Sequence, residues 1–378
     1  MSCSQSSGLE DTIRIDGAST PTSHTRWFVT GRNRRAWLAY FADVESWNRR
    51  RHQTGYVTEL DTIITSDVTV AAMKIREGEL VAFPTETVYG LGANAFDESA
   101  VRKIFAAKER PSDNPLIVHI GEEADISRVA QEISDVARAL VKDFFPGPLT
   151  LLLRRSPRLP EIVTAGSDLV GIRMPRNEVA IELIQEAGMP IAAPSANRSG
   201  RPSPTTWEAA HTDLRGRVAC VLASRPCQIG IESTVVDVSG DEPVIVRPGA
   251  VTLEMIVESA GSGRMASRGE AEGKSPGTRH RHYAPRATVR LADSPDELVA
   301  VGPRAAWIGT DECPSQAFDL VRVVPDLESY AHNLFHFFRL CDERAITEIW
   351  CQTVPRTELG IAIMDRLLRA SEASGDLG

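Results

Sequence analysis

From Ser66 onward the hydrophobic and polar positions switch between two rhythms, a spacing of three to four and short continuous apolar runs. Ser66 or Asp67 is placed to cap a helix reaching Arg76, Gly78 ends it, and Glu79–Phe83 reads as a buried strand. Asp97 can cap a second helix carrying Val101, Ile104 and Phe105 on one face; it must stop before Pro111, and Leu116–Ile120 reads as the next strand. Candidate helices at 134–145, 178–187 and 206–214 then alternate with apolar runs at 149–153, 169–174 and 190–196, and Val235–Val238 and Val244–Val246 read as two strands joined by a turn. The alternation predicts an α/β fold.

Residues 258–278 are rich in Gly, Ser, Arg and Glu and too poor in apolar side chains to order themselves, so they read as a linker. Beyond it, Thr288–Leu291, Ala305–Ile308, Leu320–Val324 and Glu348–Cys351 read as strands. Leu327, Ala331, Leu334, Phe338, Cys341 and Ala345 form one helical stripe over 327–345. This predicts a second, small α/β domain. Residues 1–56 show no sustained apolar period, set eight arginines against five acids, and read as a poorly structured extension. The expected organisation is therefore an extension (1–56), a first domain (57–257), a linker (258–285) and a second domain (286–378).

Charge narrows the function. Forty-two basic and 51 acidic residues among 378 give a net charge of −9, which lacks the footprint of a general nucleic-acid binder; a polyanion would need a local basic cluster. Apolar runs such as Pro148–Leu153 fall far short of the ~18 residues of a membrane span. Six cysteines without a CxxC pair point to a reducing, cytoplasmic setting.

Some motifs fail on context. Gly90-Leu-Gly92-Ala-Asn-Ala95 matches a dinucleotide fingerprint, but its glycines come late after the strand and behind Pro84, and the later acidic residue falls in a turn. His332-Asn-Leu-Phe-His336 has zinc-helix spacing with Asn333 in place of the general base, and His280-Arg-His282 is flanked by arginines. No GxSxG or Walker A sequence occurs, and no metal site is expected.

Three stretches carry chemistry. Pro84-Thr-Glu-Thr-Val-Tyr-Gly-Leu-Gly92 leaves a buried strand with hydroxyls and two glycines that permit close backbone approach to a small polar ligand, or else it is an ordinary turn. In Lys108-Glu-Arg110-Pro-Ser-Asp-Asn114-Pro, Lys108 falls on the apolar face of its helix, where a cation calls for an anion. In Pro194-Ser-Ala-Asn197-Arg-Ser-Gly-Arg-Pro-Ser203-Pro-Thr, Ser195 and Asn197 point to one side, and Thr205 with Glu208 suggests a capping box at a helix N-terminus suited to phosphate. Arg173 in GIRMP, Gly230-Ile-Glu-Ser-Thr234 and Arg247 in VRPG add polar groups to apolar strands.

In this order PTETVYGLG, KERPSDNPL, FPGPLT, IRMP, PSANRSGRPSPT, GIESTVVDV and VRPG resemble the YrdC-like domain of threonylcarbamoyl-AMP synthases. SPGTRHRHYAP followed by a small domain resembles the long, two-domain form, and the likeness covers about 66–378. The resemblance implies a YrdC-like twisted mixed sheet with helices around a concave, positively lined cavity, plus a small Rossmann-like C-terminal domain. It also implies an L-threonylcarbamoyladenylate synthase, a nucleotidyltransferase taking L-threonine, bicarbonate and ATP to threonylcarbamoyl-AMP and pyrophosphate. The product would pass to a threonylcarbamoyl transferase complex for the N6-threonylcarbamoyladenosine (t6A) modification of tRNA. The carried-over ATP-binding residues are Lys108, Arg110, Asn114, Ser195, Asn197, Ser203, Arg247, His280, His282 and Tyr283, with Lys108, Arg110, Ser195 and Asn197 also catalytic. Thr87, His119, Arg173 and Ser233 are carried over to L-threonine, with Arg173 suited to gripping its carboxylate. Mg²⁺ is expected to travel with the ATP phosphates. Arg176, where many relatives have His, and His280, where they have Tyr, depart from the family's pattern. A YrdC-like RNA-binding module without synthase activity is the alternative of a different class, because a basic cavity also admits a weak RNA contact. The intact Lys108/Arg110 and Ser195/Asn197 pairs favour the enzyme. A carbamoyl-transfer maturation factor would need zinc-finger cysteines and an acylphosphatase-like segment, and neither is found.

Overall fold

The computed structural model describes residues 61–271, 274, 283–297, 301–313 and 318–375. The expected extension at 1–56, and His280 and His282, lie outside the described residues.

The first sheet is built from β1 (Ile63–Thr65), β2 (Val81–Phe83), β3 (Gly90–Asn94), β4 (Ile117–His119), β5 (Leu149–Arg154), β6 (Leu169–Arg173), β7 (Ile191–Ala193), β8 (Cys220–Leu222), β9 (Thr234–Asp237), β10 (Val244–Arg247) and β11 (Arg264–Met265). Their spatial order is β1-β8-β2-β3-β7-β4-β6-β5-β9-β10-β11, with parallel and antiparallel neighbours mixed. Its helices are α1 (Val68–Arg76), α2 (Glu98–Lys108), α3 (Ile126–Val129), α4 (Asp135–Phe144), α5 (Glu178–Ala187), α6 (Trp207–Leu214), α7 (Leu253–Ala260) and α8 (Arg268–Ala271).

Both faces of this sheet are covered, which is why its strands read as unbroken apolar runs. Val81, Phe83, Ile191, Ala193, Cys220 and Leu222 pack with α1 and α5, while Ala82, Ala192 and Val221 between them join the larger core on the other side. Asp67 caps α1 by accepting from Thr69 N, and Gly78 at φ +73° ends it. Asp97 caps α2 through the backbone N–H groups of Ser99 and Ala100.

Three local expectations change. Gly90–Asn94 is a strand, not part of a loop, and the room at Gly92 serves the core: a Cβ there would lie 2.6 Å from Ile191 and 2.9 Å from the Phe83 ring. Thr206, not Thr205, caps α6, its hydroxyl accepting from Ala209 N, whereas the Thr205 carbonyl accepts from Cys227 N. Part of the expected linker is also ordered. Val244 and Ile245 pair with Arg264 and Met265, and Ala266 and Ala271 pack on Val235 and Val246, so pairing to an open sheet edge orders a segment too polar to order alone.

The second sheet is parallel, in the order β12 (Thr288–Ala292), β15 (Glu348–Gln352), β13 (Ala305–Gly309), β14 (Leu320–Val323). Two helices, α9 (Leu327–Glu343) and α10 (Leu359–Gly375), bury Ala331, Leu334, Phe338, Cys341, Ile363 and Leu367 against one face, while Trp307 and Phe318 pack on the other. Ala345 leaves the expected stripe: α9 ends at Glu343, and Ala345 is exposed at φ +53°. Among the described residues no helix is long and apolar enough to cross a membrane.

Candidate active site

Strand ends of the first sheet and the loops that follow them enclose a cleft of about 540 Å³ including its mouth. Thr87, Arg110, His119, Arg173, Ser195, Ser233, Arg247 and Tyr283 line it, joined by Thr85 and Glu232. Residues from across 85–283 therefore converge on one concavity with three guanidinium groups.

The end of α2 sorts its two cations. Glu109 adopts the left-handed conformation at φ +55°, so Lys108 and Arg110 leave the chain in different directions. The buried Lys108 ammonium donates to the carbonyls of Ser195 and Asn197. Burial and neighbouring Arg110 hold its pKa well below the lysine norm. The anion its position seemed to demand is supplied by two backbone dipoles, and Lys108 stands behind the cleft, shaping the Ser195–Asn197 loop. Arg110 lines the cleft while donating to the carbonyl of Pro115 at 3.0 Å and, more weakly, to that of Asn114. Burial lowers its pKa to about 10, which leaves it charged at neutral pH.

Ser195 and Asn197 do share a side: the serine hydroxyl donates to Asn197 Oδ1 at 2.5 Å. The Asn197 amide donates to the carbonyls of Arg198 (2.8 Å) and Arg201 (2.9 Å), so it braces its own loop. Ser203 is engaged from the opposite wall, donating to Glu232 Oε1 at 2.5 Å. Lys108, Asn114, Asn197 and Ser203 are thus brought to the cleft's supports and not to its lining.

Across the cleft, Arg173 donates to Thr87 Oγ1 at 2.9 Å and to the Gly147 carbonyl at 3.3 Å, and its remaining nitrogen lies 2.8 Å from Glu86. That nitrogen and both Glu86 oxygens are buried without a hydrogen bond, so the guanidinium keeps a donor for a ligand carboxylate. His119 Nδ1 lies 3.2 Å from the Ile117 carbonyl, and its ring meets Phe83 edge-on at 5.8 Å. Burial, then the charge of Arg173, pushes its pKa down to about 3, so the imidazole is neutral at physiological pH. Arg247 donates to the Ser233 carbonyl (2.9 and 3.1 Å) and hydroxyl (3.0 Å), and that hydroxyl is 2.8 Å from Thr150 Oγ1. Burial lowers the pKa of Arg247 as well.

Tyr283 enters from the second domain's side at φ +67°, stacks on Phe335 with ring centroids 5.3 Å apart, and precedes Ala284, whose N–H donates to the Gly200 carbonyl at 3.1 Å. Burial, then the charge of Glu232, pushes the tyrosine pKa up to about 12, so the ring stays a phenol. Sequence reasoning singled out neither Glu86 nor Glu232, although each lies inside a quoted motif as an acid among buried neighbours. In the HNLFH motif, His332 Nδ1 lies 2.9 Å from the Gln228 carbonyl. Among the described residues no cluster of three His, Cys, Asp or Glu side chains could hold a metal.

Comparison with known proteins matches this arrangement to one family. A family profile described as "Telomere recombination" covers residues 73–249, and one described as "Threonylcarbamoyl-AMP synthase, C-terminal domain" covers 251–372. The threonylcarbamoyl-AMP synthase of Pyrococcus abyssi is 43% identical over 320 residues, 80% of this chain and 94% of the relative. The chain belongs to the threonylcarbamoyl-AMP synthase family. Another member, from Bacillus subtilis, is 41% identical over 334 residues, 84% of this chain and 96% of the relative. The crystal structure of Pyrococcus abyssi Sua5 complexed with L-threonine superposes with a TM-score of 0.76 at 40% identity, covering 83% of this chain and 98% of that one. Membership of the threonylcarbamoyl-AMP synthase family makes the chain an enzyme of the nucleotidyltransferase class in the two-domain form. A YrdC-like module without synthase activity finds no support among these relatives.

Proposed function

We propose that this chain makes threonylcarbamoyl-AMP and pyrophosphate from L-threonine, bicarbonate and ATP, in the cleft between the strand ends, for the t6A modification of tRNA by a downstream transferase complex in the cytoplasm. The observation that carries the reading is the convergence of Arg110, Arg173 and Arg247 with the Thr87, Ser195 and Ser233 hydroxyls on one buried concavity. In a family whose relative binds L-threonine, such a set suits an amino acid beside a polyphosphate.

The threonine nitrogen attacks bicarbonate-derived carbon dioxide, loses a proton and becomes a carbamate. A carbamate oxygen then attacks the α-phosphorus in line, the bond to the bridging oxygen of the β-phosphate breaks, and pyrophosphate leaves. No enzyme nucleophile is required, so the protein contributes positioning and charge. Thr87, His119, Arg173 and Ser233 form the threonine half; neutral His119 adds no cation there, and Arg173, beside Glu86, keeps a donor for the threonine carboxylate and also acts through Thr87. Arg110, Ser195, Arg247 and Tyr283 face the nucleotide, with Lys108, Asn114, Asn197 and Ser203 holding that wall; His280 and His282 are assigned to ATP by the family resemblance alone. One carboxylate, Glu232, lines the cleft, too few for an all-protein Mg²⁺ cage, so the metal enters with the ATP phosphates.

Incubating the protein with ATP, bicarbonate and labelled threonine should yield pyrophosphate and threonylcarbamoyl-AMP in equal amounts. Absence of both products, with RNA bound instead, would overturn the reading.

A further inference from the structure

Helix α10 carries one charge into the interior. Arg366 follows Ile363 by three residues on the helix's apolar face and is completely buried. Its Nε lies 3.2 Å from Glu232 Oε2, and one terminal nitrogen donates to the Glu232 carbonyl at 3.4 Å. The other donates to the Pro248 carbonyl at 2.6 Å and to Asp365 at 3.1 Å. The guanidinium carbon sits 5.7 Å from the centre of the Tyr283 ring. A single side chain of the second domain thus reaches the GIEST loop, the residue after Arg247 and Tyr283.

Its partner faces the cleft. Glu232 turns one oxygen to Arg366 and the other to Ser203 while lining the cavity where a polyanion is to bind. A carboxylate there, with its charge unbalanced, would repel phosphate and compete with it for Arg110 and Arg247. Two to four residues earlier the loop is fixed by the same domain. Gly230 at φ +88° lies so close to α9 that a Cβ would meet the His332 Cα at 2.5 Å, and the Gln228 carbonyl contacts the His332 ring. The loop bearing Glu232 and Ser233 is therefore held from the second domain at both ends.

We propose that Arg366 is a positioning residue for the nucleotide half of the site, neutralising Glu232 and holding it toward Ser203 so that the C-terminal domain completes the phosphate-binding wall. This rests on reading the cleft as the place of synthesis. Glu232 at 3.2 Å and Asp365 at 3.1 Å supply the counter-charge to the buried Arg366 guanidinium.

The test is steady-state synthesis by the full chain, with KM for ATP and for threonine measured separately. Arg366→Gln should raise the ATP KM roughly tenfold or more, the loss expected for an unbalanced charge beside an anion, with threonine KM within about twofold. Arg366→Lys should keep ATP KM near the native value, and Glu232→Gln added to Arg366→Gln should restore it. If Arg366→Gln does not fold, Glu232→Gln alone carries the test, lowering ATP KM severalfold whatever happens to kcat. Equal movement of both KM values, no movement, or failure of the second substitution to restore ATP KM would overturn the proposal. A native chain that makes no threonylcarbamoyl-AMP would instead overturn the reading of the cleft.

Discussion

The two domains share apolar cores but differ in how many polar side chains they bury. Among the described residues, buried polar and charged groups crowd the strand ends of the first sheet, where Glu86, Thr87, Lys108, Arg110, His119, Arg173, Ser233 and Arg247 are all nearly inaccessible. In the second domain they are Gln352 and Arg366, the latter turned toward the first domain. Both domains are α/β layers with apolar cores, so the fold itself does not require the difference. Burying a charge is costly unless something answers it, and the answering groups in the first domain are carbonyls, hydroxyls and a carboxylate arranged around an open cleft. Polar burial here marks the site, and its sparseness in the second domain marks a support.

Matched truncations would break that contrast most sharply. Arg247→Ala should cut synthesis roughly 10–150-fold, from ~1.5–3 kcal/mol for a lost charge-assisted interaction. Gln352→Ala should leave turnover per folded molecule unchanged, although Gln352 Oε1 accepts from Thr310 N at 2.7 Å and Asp311 N at 3.0 Å. Its cost should appear only in thermal melting, at about 1–3 kcal/mol. If Gln352→Ala slowed synthesis as much as Arg247→Ala, the division into site and support would fail.

Acid titration sharpens the comparison. His119 is held neutral, with its pKa lowered from 6.5 to about 3 by burial and by Arg173. Between those values the unfolded chain binds the proton and the folded one does not, so stability falls as pH drops through this window, by up to about 1.4 kcal/mol per pH unit for this one group. Denaturant midpoints between pH 7 and pH 4 should therefore fall less steeply in His119→Gln than in the native chain. Parallel curves would mean that the imidazole is charged in the folded protein.

The smallest expected effect lies in the second domain. Asp326 caps α9 by accepting from Ser329 N at 2.7 Å. Asp326→Ala should cost about 1 kcal/mol in unfolding experiments, with both KM values unmoved. A shifted ATP KM would show that even the entry of α9 is tied to the cleft.

Much of the fold was legible because its signals are local. Caps at Asp67, Asp97 and Asn177, and apolar runs bounded by Gly and Pro, determine nearly every helix of the first domain and most of its strands. The three-residue strands β1 and β8 are too short to carry a period, and Gly90–Asn94 looks like a loop because its glycines suit one. Helix α10 is legible in the spacing of Leu359, Ile363, Leu367 and Ala370. Within it Arg366 repeats the signal that Lys108 gave on α2, a cation on an apolar face.

What the sequence by itself determined was the class of each element, the two-domain order and the set of motifs that had to meet. Only the tertiary structure decided which members of those motifs face the cleft. Lys108 and Arg110 are two residues apart, yet the left-handed turn at Glu109 sends one to backbone carbonyls and the other to the cavity. Ser203, Glu232 and Arg366, spread over 163 positions, form one connected group because the second domain docks on the first sheet's loops. Local spacing records how a segment coils, whereas the partner of a buried charge is chosen by whichever segment packs against it, and that choice is written nowhere near the residue itself.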